Sequence, residues 1–172
     1  MKKTLILLLL LTSYNSKSQT KTVDEIDKFT KERIIQVNVS NSKNWRQNDN
    51  ISEGIFNNIF LNFKMVDGSF YLQFGVQCND VLSCINENSK TILLLDGNET
   101  IELTNKSNND CSYTLVSGRY GITLADLKKL TEKNLQEFRI YYSEGYRDYK
   151  VTSNRKDIIK KAAELFITST QK

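Results

Sequence analysis

Residues 59–76 read IFLNFKMVDGSFYLQFGV, two alternating runs separated by Asp67-Gly68. A two-residue hairpin turn needs positive φ at both central positions, which Asp tolerates and Gly adopts freely. Closing the loop there pairs Met65 with Phe70, Phe63 with Leu72, Leu61 with Phe74 and Ile59 with Val76 on one apolar face. The other face pairs Lys64 with Tyr71 and Asn62 with Gln73, and sets Phe60 across from Gly75 as an aromatic covering a bare backbone position. A slip of one residue would turn the whole apolar set outward, so the register is well specified.

Two further hairpins are expected downstream. One turns at Gly97-Asn98, with Leu94–Ile101 and Ile92–Leu103 on the core side and Leu93–Glu102 and Thr91–Thr104 outside. The other turns at Glu144-Gly145 and pairs Phe138 with Val151, Ile140 with Tyr149, Arg139 with Lys150 and Tyr141 with Asp148. Ile35, Val37 and Val39 alternate as a strand, and a further strand runs from Ser112 to Val116.

Helix signals are fewer. Thr22-Val-Asp-Glu25 has a capping-box pattern, followed by Val23, Ile26 and Phe29 at near-helical spacing, which predicts a short N-terminal helix. Thr123 with Asp126 three residues on caps a mid-chain helix. From about Arg155, Ile158, Ala162 and Phe166 lie one turn apart beside Ile159 and Ala163, while Lys156, Lys160 and Glu164 face away, as on an amphipathic C-terminal helix. Runs of hairpins with separate helices give an α+β class: an antiparallel sheet built from three consecutive hairpins plus three helices. Residues 41–54, with the lone Trp45, are polar and loop-like.

The N-terminus carries an address rather than a fold. Lys2 and Lys3 precede an unbroken apolar run from Leu5 to Leu11, and Ser16 and Ser18 occupy small-residue positions before a cleavage point ahead of Gln19. This is the layout of a secretory signal peptide over residues 1–18, leaving 19–172 as a single domain. A span needs about 20 apolar residues, so no stable membrane insertion is expected after cleavage. Removing Lys2, Lys3 and Lys17 from the 24 basic residues leaves 21 against 20 acids. Such a nearly neutral chain, with its charges interspersed, offers no clustered basic face for nucleic acid.

Three Cys in an exported chain allow one disulfide and one free thiol. The second hairpin's register pairs residues whose numbers sum to 195, as Cys84 and Cys111 do. That pairing is favoured; Cys78 with Cys84 is the rival. The chain has no His, which excludes Ser-His-Asp and Cys-His nucleophiles and His-ligated zinc or haem. No catalytic motif, metal site or cofactor signature remains. Paired carboxylates could work without His, and Glu99, Glu102, Asp110, Glu137 and Asp148 are available. Acids that nothing pairs are mostly solvated, which is their plainer reading.

The aromatic residues point to binding. Trp45, Tyr71, Tyr141 and Tyr146 are candidates for exposed positions, and Tyr and Trp anchor binding surfaces. Leu93, with Leu95 on the outer side of the second hairpin, calls for a covering helix or a partner.

The segment ending Ser-Lys-Ser-Gln-Thr20, with Cys84-Ile-Asn-Glu-Asn-Ser-Lys90, the Asp96-Gly97 hairpin, Cys111, Ile122-Thr-Leu-Ala-Asp-Leu-Lys-Lys-Leu130 and Phe138-Arg-Ile-Tyr-Tyr142, resembles small exported proteins of unassigned function from Bacteroidota-type bacteria. The resemblance covers about half the chain and implies an envelope-localised α+β domain in the periplasm or outside the cell. It supplies no catalytic residues. Ser117-Gly118-Arg119-Tyr120 also touches on the Ser-Gly-x-x-Tyr element of periplasmic lysozyme inhibitors, with one residue fewer between the Gly and the Tyr. The expected function is an exported binding or interaction protein without catalysis, whose partner is an envelope protein or glycan. The alternatives are a carboxylate-based hydrolase of an envelope polymer and a lysozyme-inhibitor-like protein.

Overall fold

The structure, a computed structural model, describes residues 22–39, 59–78 and 82–171. The expected signal peptide and Trp45 lie outside the described residues. In order the elements are β1 (Thr22–Ile26), β2 (Arg33–Asn38), β3 (Ile59–Val66), β4 (Ser69–Gln77), β5 (Ser83–Ile85), β6 (Lys90–Leu95), β7 (Thr100–Thr104), β8 (Asp110–Ser112), β9 (Leu115–Gly121), α1 (Leu124–Glu132), β10 (Leu135–Tyr142), β11 (Gly145–Lys150) and α2 (Ser153–Thr170). The α+β class with antiparallel pairing holds. The strands, however, form two main sheets, ordered β1-β2-β3-β4-β9 and β11-β10-β6-β7, with β5-β8 as a small third. The first hairpin belongs to one main sheet and the other two share the second.

The expected N-terminal helix is a strand. β1 pairs antiparallel with β2, Thr22 against Val37 through Ile26 against Arg33. Ile26 and Phe29 are 67% and 81% exposed, so no apolar helix face exists there to bury. A turn follows the strand: Asp27 Oδ1 accepts the N–H groups of Phe29 and Thr30, and Lys31 takes a positive φ of 64°. Arg33 closes the pair with two bonds to the Asp24 carboxylate.

The β3–β4 hairpin has the expected register throughout, Ile59 to Val76 through Met65 to Phe70, turning at Asp67 (φ 47°) and Gly68 (φ 74°). Phe60 faces Gly75 across the ladder as expected, and a side chain at Gly75 would also meet Leu115 of β9.

The β6–β7 hairpin is one residue out of the expected register. Gly97 (φ 78°) and Asn98 (φ 61°) both have positive φ, but Asp96 joins them in a three-residue loop closed by Leu95 N–H to Glu99 C=O at 2.8 Å. Leu93 therefore faces Ile101, and Thr91 faces Leu103, all buried; Ile92 and Leu94 turn to the other face. Asp96 ties this loop to the start of β10 through Asn134, whose N–H it accepts at 3.2 Å and whose C=O takes its own N–H at 3.0 Å.

The β10–β11 hairpin turns at Ser143-Glu144, one residue before the expected position, which moves each pairing partner by two. A two-residue shift keeps every side chain on its face but changes its partner. Arg139 meets Asp148 rather than Lys150, which replaces a like-charge pair with an opposite one.

Cys84 and Cys111 are bridged, and Cys78 is a buried free thiol. The bridge lies in the β5–β8 ladder, where Cys84 faces Cys111 directly. By the chain-entropy account, closing a loop with a separation of 27 residues stabilises by about 3–4 kcal/mol.

The sheets and α2 share one core. Phe63 and Phe70 of the five-stranded sheet hold the Phe166 ring of α2, stacked at 5.7 Å and edge-on at 6.0 Å. Ile159, Ala162 and Ala163 complete the buried face of that helix. Thr123 caps α1 by accepting Asp126 N–H, as expected, and Lys129 and Lys133 of this helix and its C-cap pair with Glu99 at the β6–β7 loop.

Phe74 connects the two main sheets. Its ring stacks on Tyr120 at 4.5 Å and meets Phe138 of the second sheet edge-on at 6.4 Å. Tyr120 lies over Gly118, where a Cβ would come within 2.4 Å of the ring. Gly118→Ala is expected to displace the stack and cost about 1–3 kcal/mol of stability, the usual price of overpacking; a urea midpoint equal to wild type would contradict this placement of the ring.

Candidate functional site

The register of β6 decides which side chains are left outside the core. On the outer face of the second sheet, β6 presents Ile92 and Leu94, β7 Thr100 and Glu102, β10 Glu137, Arg139 and Tyr141, and β11 Tyr146 and Asp148. Ile92, Leu94, Thr100, Glu137, Arg139 and Asp148 line one open groove of about 290 Å³. No helix residue lines it: α2 packs on β2 and β3 with a smaller contact to β10, and α1 packs on α2.

An ion pair and an aromatic pair organise this face. The Arg139 guanidinium gives two N–H bonds to Asp148, each 2.7 Å. The same guanidinium lies 4.1 Å from the centre of the Tyr146 ring, and Tyr146 is 5.7 Å from Tyr141. Arg139 is thus fixed in plane by a carboxylate and in height by a ring, which leaves its fork rigid. Hydrogen bonding to Arg139 holds the Asp148 carboxyl below the usual range and raises the guanidinium further. Glu102 is paired with Lys90 at 2.7 Å on the same sheet face.

The five expected binding residues divide accordingly. Tyr141 and Tyr146 are neighbours on this open face, and Tyr146 is 55% exposed. Leu93 is fully buried, a correction that follows from the one-residue register shift. Tyr71 stands on the other main sheet, 4.9 Å below the Arg119 guanidinium. Trp45 lies outside the described residues. Ile92, Leu94 and Arg139 were missed as groove residues. Both faces of β6 are apolar, so only the number of residues in the loop at 96–98 could have found the first two.

Two other expectations meet the geometry here. Glu137 and Asp148 line the same groove, as two acids in one cleft must for carboxylate chemistry. Arg139 faces Asp148 across the ladder, and Glu137 is two residues along β10, which makes the two acids diagonal neighbours, roughly 7–8 Å apart along the backbone. Both oxygens of Asp148 are already bonded to Arg139, so this carboxylate is poorly placed to attack or donate a proton. In the Ser117–Tyr120 segment, Tyr120 is fully buried and Ser117 donates to Asp110. Among the described residues, no three His, Cys, Asp or Glu side chains gather as metal ligands, and no helix is long and apolar enough to cross a membrane.

Compared with protein-family models, with curated proteins and with solved structures, the chain matches none. The groove's meaning therefore comes from its own chemistry.

A depressed carboxyl pKa in the fold stabilises above the unfolded value and loses that contribution as pH falls through the folded value. The stability gap between wild type and Asp148→Asn is expected to be open above pH about 5 and to close below pH about 4, the ordinary Asp range. Denaturation curves across that window check it; a gap that stays constant with pH would show that the Arg139–Asp148 pair does not lower this pKa.

Proposed function

We propose that the protein is an exported, non-catalytic binding protein of the bacterial envelope, and that the outer face of the β11-β10-β6-β7 sheet receives a glycan. The basic and apolar N-terminal segment at residues 1–18 supports export. The Cys84–Cys111 bridge supports an oxidising compartment.

The observation that carries the binding reading is the groove of about 290 Å³ in which an apolar floor meets planar polar groups, beside the exposed Tyr146 that packs on its Arg139. Sugar rings have the matching surfaces. Their C–H faces stack on aromatic rings, and their adjacent hydroxyls accept from a rigid guanidinium and donate to carboxylates. Tyr146 with Tyr141 supplies the platform, and Arg139, Asp148, Glu137 and Thr100 supply the polar edge. The volume is at the small end of ligand pockets, fitting one or two sugar units rather than a long polymer segment. A protein partner on the same face is the rival occupant.

The carboxylate-hydrolase reading keeps one observation in its favour, that Glu137 and Asp148 share the groove. Its weakness is the engagement of Asp148 by Arg139.

Binding of residues 19–172 to polysaccharides from a bacterial envelope, followed on a glycan array and by calorimetry, tests both readings. Saturable binding with no release of reducing ends is expected. Tyr146→Ala is expected to weaken it at least about tenfold, the loss typical of an anchoring aromatic. Reducing ends released by wild type but not by Glu137→Gln would establish the hydrolase instead. Binding left unchanged by Tyr146→Ala would remove this face from the account.

A further inference from the structure

A second cavity, of about 340 Å³, lies on the outer face of the other main sheet and is independent of the glycan reading. Its lining is polar: Lys64 of β3, Gln73 of β4, Arg119 of β9, and Lys106, Ser107 and Asn108 from the loop before β8. Gln73 and Arg119 face each other directly across the β4–β9 ladder. Three of the six lining side chains are cationic and none is a carboxylate.

The loop side of this cavity is held firmly by a buried amide. Asn105 is fully buried, and its Nδ2 donates to the Asn86 carbonyl at 2.9 Å. Its Oδ1 accepts from Ser107 N–H at 3.1 Å, Ser107 Oγ at 2.7 Å and Arg119 N–H at 3.2 Å. Lys106 N–H then bonds the Arg119 carbonyl at 2.7 Å. These bonds fix the positions of 106 and 107 relative to Arg119 before any ligand arrives.

Arg119 itself is held but incompletely satisfied. Its guanidinium lies over Tyr71 at 4.9 Å. Its Nε is buried and has no hydrogen-bond acceptor among the described residues. The nearby Asp110 carboxylate is turned to Ser117, accepting its N–H at 2.7 Å and its Oγ–H at 2.9 Å. A charged donor kept from water without an acceptor is costly, and a guanidinium's fork matches the spacing of two oxygens on one oxyanion.

We infer that this cavity binds an oxyanion group, a phosphate or a carboxylate, with the Arg119 fork as its primary contact and Lys106 neutralising its charge. Gln73 and Ser107 complete the donor set. Such a group is carried by phosphorylated envelope components and by uronic-acid glycans, and the same chemistry recognises both.

Titration of the ¹⁵N-labelled protein with inorganic phosphate and, separately, with glucuronate at constant ionic strength tests the inference. The Arg119 Nε–H resonance and the Lys106 and Ser107 amides are expected to shift and saturate in the millimolar range with at least one of the two. The tighter probe identifies the source. Lys106→Gln, on an exposed side chain, is expected to weaken binding roughly fivefold, about 0.7 of a decade in affinity. Arg119→Gln is expected to abolish saturation, and Arg119→Lys to restore it only in part, because the charge returns without the fork. Shifts that do not saturate with either probe, or that are the same in wild type and Lys106→Gln, would overturn the site. If Arg119→Gln fails to fold, the Lys106→Gln comparison decides.

Discussion

The edge-to-face contact between Phe74 and Phe138 joins the cores of the two main sheets. Phe74 is held from one side by its stack on Tyr120, which rests on the bare backbone of Gly118. Once Phe138 points at this pair, pairing across β10 and β6 obliges Leu93 to point inward with it. Ile101 and Leu103 follow on β7. Each fully buried side chain of this kind contributes about 1.5–3 kcal/mol by area removed from water, so the orientation of the second sheet is set by several such residues acting together.

The exposed surface is what this arrangement leaves over. A β-strand alternates its side chains strictly, so committing Leu93 and Leu95 to the core commits Ile92 and Leu94 to the outside. They become the floor of a groove edged by a fixed ion pair, with two tyrosines next to that pair on the same face. On the opposite side, the same rule puts Lys64, Gln73 and Arg119 outward, and the buried Asn105 brings a loop against them. The molecule thus carries two outer surfaces of different character, one apolar and aromatic, the other cationic and polar. Neither needs a residue withdrawn from the core.

Legibility in the sequence followed how many local signals agreed. At Asp67-Gly68 the turn residues and the alternation on both strands gave one answer, and the register was readable to the residue. At 96–98 the turn residues were recognised, but β6 is apolar on both faces. Nothing in the pattern could then choose between a two-residue and a three-residue loop, and Leu93 was assigned to the wrong side. At 143–145 the glycine was read as part of the turn when it begins β11, an error of two that spared the faces. The capping-box pattern at 22–25 failed because β1 found a sheet edge and Asp27 a turn, tertiary and local pairings that outweigh a weak helix signal. The disulfide was read correctly although the hairpin register behind it was off by one. β5 and β6 are joined by four residues and β7 and β8 by five, which offsets the extra residue of the loop. The cationic cavity was not legible, because β9 begins later than expected and runs on through Arg119.

The most direct test of this account is the solvent accessibility of neighbouring methyl groups on β6. In methyl-labelled protein, a soluble paramagnetic agent should strongly broaden the resonances of Ile92 and Leu94 and leave those of Leu93 and Leu95 sharp. The reverse pattern, with Leu93 and Leu95 broadened, would mean that the second sheet presents its other face to the core, and the groove described here would not exist.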